Sequence, residues 1–439
     1  MNPEWLALDK AHAWHPYTQH ALDPEPLAVV GAQGAWLECA DGRRLLDAIS
    51  SWWSILHGHG HPRIVAAIQE QAARLDHVLF AGCTHEPAAR LAASLVECAA
   101  ILPEMEAAAL GSAGPPLTRV FYSDSGATSV EVALKAAYLS HLRRGEKGRR
   151  VFITLENSYH GDTVGAMSVG DPAPFFADFA PLLFEVERVA VDADALADVL
   201  QRRGEEVAAL IVEPLVQGAA GMVMHSPEFL QKARLLCRNH GVFLIADEVA
   251  TGFGRTGTLF ACEQAGITPD FLCLAKGLSG GVLPLAATMT SEVIYEDFLS
   301  NDRARTFFHG HTFTANPIAC AAGCASMEII REENTPAKLA RNGEQIESGL
   351  RDFSATSAVK DLRRLGGIVA MELAVEDQGY FATLGDSLRH ACRQTNVLLR
   401  PSGNVLYAIP PSCTTPEECD LIAQTMVEVA EISSLPQQA

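Results

Sequence analysis

A lysine that closes an apolar run is chemically unusual, and this chain carries one. Phe271-Leu-Cys-Leu-Ala275 leads directly into Lys276 and then Gly277. Drawing an ammonium out of water lowers its proton affinity and favours an amine nucleophile that can condense with a carbonyl. The bland alternative is a lysine that snorkels from a sheet edge. A second run, Val242-Phe-Leu-Ile-Ala246, ends in Asp247 and Glu248. Ligands gather at the carboxyl edge of open α/β sheets, and a carboxylate there can keep a heterocyclic nitrogen protonated. The alternative is a solvated or helix-capping Asp. The interval from Asp247 to Lys276 allows one loop-and-helix crossover, so both can end at one sheet edge.

Two further segments carry possible chemistry. Ser123-Asp-Ser-Gly-Ala-Thr-Ser-Val lies between an apolar run and a helical pattern. Free backbone N–H groups at such a helix start favour an anion, so Ser125, Gly126 and Ala127 either cup a phosphate or form an ordinary capped turn. Tyr159-His-Gly-Asp-Thr163 follows the run Val151–Leu155. Its tyrosine either lies flat on an aromatic ligand or packs in a loop.

These segments need elements to hold them. Six short apolar runs begin at Arg119, Val151, Ala209, Val242, Phe271 and Leu285. Runs of this kind read as strands covered on both faces, which are usually parallel. Between them, Val130, Ala133, Leu134, Ala137 and Tyr138 share one helical face. Ser226-Pro227 and Gly241 bracket another helix. The alternation predicts an α/β domain with a mostly parallel central sheet. Turn residues punctuate the chain before about residue 60, and long helical stretches follow residue 325. The division expected is an N-terminal segment 1–63, a large domain 64–325, and a smaller α/β domain built from 326–439 with help from the N-terminus.

Composition narrows the class. The 439 residues carry 33 Lys and Arg against 53 Asp and Glu, a net charge of −20. Such a surface repels polyphosphate, so no nucleic acid partner is expected. At 48% hydrophobic and 20% charged, the chain can bury a large core. No apolar run reaches the ~20 residues that span a bilayer, so no membrane partner is expected either. The N-terminus shows no basic stretch followed by an apolar one. Eleven scattered cysteines fit reduced thiols, and together these features predict a cytoplasmic enzyme.

A phosphate cup, a flat aromatic, a ring-nitrogen carboxylate and an amine nucleophile, in this order, resemble the fold-type I, class III aminotransferase family. The segment Ala246-Asp-Glu-Val-Ala-Thr-Gly-Phe-Gly-Arg-Thr-Gly257, followed by Leu274-Ala-Lys-Gly277, carries most of the likeness. The resemblance implies pyridoxal 5′-phosphate as cofactor, held covalently by Lys276. Asp247 would face its ring nitrogen, and Tyr159 and Val249 its two faces. Phe308-His-Gly310-His311-Thr312 resembles the family loop that reaches the phosphate in the partner subunit. A homodimer with sites at the interface is therefore implied, with His311 and Thr312 as cofactor contacts and Gly310 near the substrate.

Trp14-His-Pro-Tyr17-Thr and Ser51-Trp52-Trp53 resemble the branch that aminates 8-amino-7-oxononanoate, usually from S-adenosylmethionine, in biotin biosynthesis. In that branch Tyr17 and Trp52 would line an aliphatic pocket, and Arg400, in Leu399-Arg-Pro-Ser-Gly403, would bind the acid group. Arg255 is a second cationic candidate for substrate. Relatives that use 2-oxoglutarate carry Glu in a Gln-Gly-Glu pattern, whereas this chain reads Gln217-Gly-Ala219. An ω-amino-acid:pyruvate transaminase is the alternative on the same scaffold. Two other patterns point elsewhere. Gly252-Phe-Gly254-Arg-Thr-Gly257 matches a dinucleotide fingerprint, but no helix start is visible within it. His57, His59, His61, His309 and His311 are Gly-interleaved and lack a carboxylate at ligand spacing, so no metal is expected.

Overall fold

Alternate residues of a strand point to opposite faces, and here both faces are apolar. Leu244, Ala246, Leu272 and Leu274 enter one hydrophobic cluster, while Phe243, Ile245, Phe271 and Cys273 enter another. Strands buried on both sides need a layer on each, which is the α/β sandwich. The computed structural model describes residues 3–173, 175–375 and 383–434.

Seven strands form the central sheet: β1 (Leu117–Ser123), β2 (Val151–Leu155), β3 (Glu187–Val189), β4 (Val207–Val212), β5 (Phe243–Asp247), β6 (Phe271–Leu274) and β7 (Ala286–Ser291). Their spatial order is β1-β7-β6-β5-β4-β2-β3. The pairs β5–β6, β5–β4, β4–β2 and β2–β3 are parallel. The sheet is thus mostly parallel, as expected, and the exception is β7, which runs antiparallel to both β6 and β1. A parallel return needs a crossover of a dozen or more residues. The β6–β7 connection instead turns through a short 3₁₀ helix, Lys276–Ser279, and two left-handed glycines, Gly280 and Gly281.

The helix after β1, α1 (Gly126–Arg143), buries Val130, Ala133, Leu134 and Ala137 against the sheet, as its periodicity predicts, but Tyr138, expected on the same face, is exposed one turn further along. Ser125 caps it, its Oγ accepting from the Thr128 amide at 3.3 Å. Helix α2 (Pro227–Asn239) starts on a Ser226 cap, and the chain leaves it through Gly241 at φ 65°.

The two ends of the chain meet. Strands 29–33, 36–39 and 44–47 form an antiparallel set, and the short strand Val397–Leu398 joins its edge in parallel with Arg44–Asp47. A separate cluster unites Leu46 with Ile346, Val369, Met371, Leu406 and Met426. The boundary expected at 325/326 falls inside the helix Pro317–Glu333, whose Ala319, Cys320, Met327 and Ile330 pack on the larger cluster.

Candidate active site

Four carboxyl-edge positions converge. Asp247 is the last residue of β5, Lys276 begins the turn after β6, Tyr159 follows β2, and Ser125 opens α1. All four line one cavity of about 720 Å³, with Gly126, Ala127, His160, Glu213, Val249 and Trp53.

Lys276 sits at φ 44°, a left-handed conformation that turns its side chain out of the strand path. Its Nζ lies 4.8 Å from the centre of the Trp53 ring. Loss of hydration lowers its proton affinity to about 8; Asp247 and Glu213 oppose that shift, and Arg255 adds to it. Asp247 is 5% exposed. Its Oδ2 pairs with His160 Nδ1 at 2.7 Å, and its Oδ1 accepts from the Val249 amide at 3.1 Å. The phosphate cup also has a steric reason. A Cβ at position 126 would stand 2.6 Å from Val249 Cγ1, so only glycine lets Val249 pack beside the helix start.

Sequence reasoning does not single out Glu213, and it gives Trp53 and His160 no role. Glu213 follows β4, whose Val212 is in register with Ala246, so it stands beside Asp247. Burial raises its carboxyl to about 7, while amides of Tyr159 and Gly218 donate to it at 2.9 and 3.0 Å. An acid ending an apolar run next to the Asp247 run is the signal that finds it.

Tyr159 stacks at 21° against Phe176, and burial pushes its phenol well above the usual range. Its hydroxyl is 3.4 Å from that of Tyr17, and both hydroxyls donate to Asp162. From Tyr17 the line continues outward: Trp52 lies edge-on to it at 5.5 Å, and the Arg400 guanidinium covers Trp52 at 4.7 Å. Tyr17, Trp52 and Arg400 thus adjoin the cavity as one string.

Arg255 stands elsewhere. It is 2% exposed and donates to the carbonyls of Pro410, Trp53 and Ile55 at 3.0–3.3 Å, so its guanidinium is committed to backbone and does not line the cavity. This corrects its expected contact with substrate. The surrounding glycines have a packing duty. A Cβ on Gly254 would meet Pro336 at 3.0 Å, and one on Gly366 would meet the Thr256 carbonyl carbon at 2.2 Å. The next helix opens only at Ala261, so the dinucleotide pattern is not set up as a phosphate turn.

Gly310 and Thr312 are exposed, and His311 Nε2 lies 3.9 Å from Asp124 at the cavity rim. The other histidines have separate partners: His57 bonds Ser326, His59 bonds Asp47, and His61 approaches Glu333. Among the described residues no group of three His, Cys, Asp or Glu could hold a metal ion.

Comparison with known proteins agrees with this geometry. The family described as aminotransferase class-III matches residues 17–430. The chain belongs to the class-III aminotransferases. A relative from Synechococcus elongatus, named adenosylmethionine-8-amino-7-oxononanoate aminotransferase, is 46% identical over 96% of this chain and 98% of its own. The crystal structure of the protein of that name from Methanocaldococcus jannaschii superposes with a TM-score of 0.91 at 35% identity, covering 98% and 99% of the two chains. An amine transaminase from an uncultivated Pseudomonas species, solved in its PLP-bound form, gives 0.86 at 30% identity over 95% and 98%. This class-III aminotransferase has the fold-type I architecture and uses pyridoxal 5′-phosphate. The donor set fits that group: amides at a helix start, a shielded carboxylate, a flat phenol, and an amine of low proton affinity.

Proposed function

We propose that this aminotransferase converts 8-amino-7-oxononanoate to 7,8-diaminononanoate in biotin biosynthesis, with S-adenosylmethionine as amino donor. The observation that carries the reading is the string from Tyr159 through Tyr17 and Trp52 to Arg400. It leads from the cavity that holds the amine to a cation along aromatic walls, which suits an aliphatic chain ending in a carboxylate. Similarity along nearly the whole chain to relatives of that name supports the same reading. We place the enzyme in the cytoplasm as a homodimer, with Gly310, His311 and Thr312 serving the partner's site. The exposure of Gly310 and Thr312 is compatible with that duty. The pairing of the chain's two ends supports a small domain built from both, with its C-terminal part beginning after the helix Pro317–Glu333 rather than at residue 325.

When bound, pyridoxal phosphate supplies an aldehyde that takes up the amino group and a ring that draws electrons from the donor's α-carbon. The amides of Ser125, Gly126 and Ala127 would hold its phosphate. Asp247, fixed by His160, would keep a proton on the ring nitrogen, while Tyr159 and Val249 confine the ring. Lys276 Nζ, with its affinity near 8, removes the proton from the donor's α-carbon and returns one. Arg400 pairs with the acceptor's acid group, and Trp52 and Tyr17 exclude water from its chain.

The test is a donor panel on the holoenzyme, with product formation followed by mass spectrometry. Diaminononanoate should form from 8-amino-7-oxononanoate with S-adenosylmethionine and not with lysine or a simple ω-amino acid. Turnover with lysine alone overturns the donor. Pyruvate-dependent turnover of ω-amino acids, without activity on 8-amino-7-oxononanoate, selects the alternative transaminase.

A further inference from the structure

Four consecutive residues without a glycine among them, Ser50, Ser51, Trp52 and Trp53, have φ of 49°, 56°, 133° and 66°. Such a run is strained, since a left-handed backbone crowds each side chain and persists only where its surroundings hold it. The turn carries two tryptophans with different tasks. Trp53 faces Lys276 Nζ, and Trp52 lies under Arg400. The two ends of the site therefore hang on one strained turn.

Ser50 of this turn donates to the Ile409 carbonyl and Arg255 donates to that of Trp53, while its middle, at Ser51, is held by one buried carboxylate. Asp47 is fully buried; its Oδ1 accepts from the Ser51 amide at 2.9 Å, and its Oδ2 accepts from the Ser51 hydroxyl at 2.7 Å. His59 Nε2 lies 2.9 Å from the same Oδ2, and the His59 backbone is pinned to Gly34 by two hydrogen bonds of 2.7 and 2.9 Å. Asp47 is also placed by its backbone, because it ends the strand that pairs with Val397–Leu398 and stands in register with Leu398. Arg400 follows two residues later. Asp47 thus holds the residue that precedes Trp52 and borders the strand that delivers Arg400.

We propose that Asp47, oriented by His59, is a positioning residue that sets the Trp52–Arg400 contact and the seat of Trp53 over Lys276, and so selects for acceptors bearing a carboxylate. This rests on Lys276 and Arg400 as the two ends of the site. Without the carboxylate the turn relaxes toward negative φ, which carries Trp52 and Trp53 away from both cations.

The experiment uses Asp47→Ala and His59→Gln in the holoenzyme, assayed with 8-amino-7-oxononanoate and its analogue lacking the carboxylate. Displacement of about an ångström at a reacting site costs on the order of 10²-fold, so kcat/KM for the acid should fall about that far in Asp47→Ala. The analogue should lose about tenfold less, because it never used Arg400. In an Arg400→Met background, Asp47→Ala should change the acid-to-analogue ratio no further. A second readout needs no cofactor. In the apo chain, labelling of Lys276 by trinitrobenzenesulfonate, read on its peptide by mass spectrometry, should change rate in both variants.

Equal losses on acid and analogue, with unchanged Lys276 labelling, would overturn the proposal. If Asp47→Ala does not fold, His59→Gln carries both readouts, and the same results support or overturn it. A wild-type enzyme indifferent to the carboxylate overturns the part that runs through Arg400, and the Lys276 labelling then decides the remainder.

Discussion

His160 Nδ1 and Asp247 Oδ2 lie 2.7 Å apart, and both side chains are shut away from water. The His160 ring thus holds the Asp247 carboxylate, with its charge, at the wall of the cavity. Asp247→Asn removes that charge and keeps the shape. We expect the holoenzyme to bind pyridoxal phosphate and to lose on the order of 10²–10³ in kcat, as when one preorganised electrostatic group is removed. His160→Asn should lose less, about tenfold, because it loosens the carboxylate without removing it. Cofactor content by absorbance and kcat by product formation measure both, and a near-normal rate in Asp247→Asn would refute the role.

The Lys276 proton affinity gives a stability test. Unfolded, this amine titrates near 10.5; folded, near 8. Between those values the unfolded chain binds more protons, so the apo protein should gain stability as pH rises from about 8 to 10.5. Below about 8 the folded state carries the full cost of a poorly hydrated ammonium. Lys276→Met should abolish the slope and stabilise the apo chain at pH 7 by on the order of 1 kcal/mol, a figure reduced because the side chain is partly open to the cavity. Urea melts at pH 7, 8 and 10 read it directly. The same variant should show no transamination.

Why some positions were legible follows from how local their signals are. Lys276, Asp247 and Ser125 each stand where an apolar run stops, and that boundary is written in the adjacent residues. The direction of β7 is not local in this sense, because it depends on a connection too short for a crossover and on Gly280 and Gly281. The Trp52-Trp53 doublet marks the site, but only the left-handed turn decides that Trp53 lines the cavity while Trp52 meets Arg400. Arg255 misleads for a related reason. Its sequence neighbours approach the cofactor site, yet its partners are carbonyls from 53–55 and 410, far away along the chain.

Arg255 accordingly yields a prediction about stability. Three buried carbonyls depend on its guanidinium, and burial already lowers its proton affinity to about 10. Arg255→Met leaves those acceptors unmet, and each such loss costs roughly 1–3 kcal/mol. We expect a fall of about 3 kcal/mol or more in urea unfolding. Arg255→Lys should recover little, since one ammonium lacks the fork that spans Pro410 and Ile55. A selective rise in the acceptor KM with unchanged stability would instead return Arg255 to substrate binding.

Arg400 is the complementary case. Its guanidinium rests on an exposed tryptophan face, and cation–π contact of this kind leaves the N–H edge available to a carboxylate. A hydrogen bond to a charged group contributes about 1.5–3 kcal/mol, so Arg400→Met should raise the KM for 8-amino-7-oxononanoate by about 10- to 100-fold. The half-reaction with the amino donor, followed spectrophotometrically without acceptor, should change far less. The split between the two half-reactions distinguishes recognition of the acid from general damage to the site. Equal impairment of both would mean that Arg400 supports the Trp52 turn rather than the acceptor.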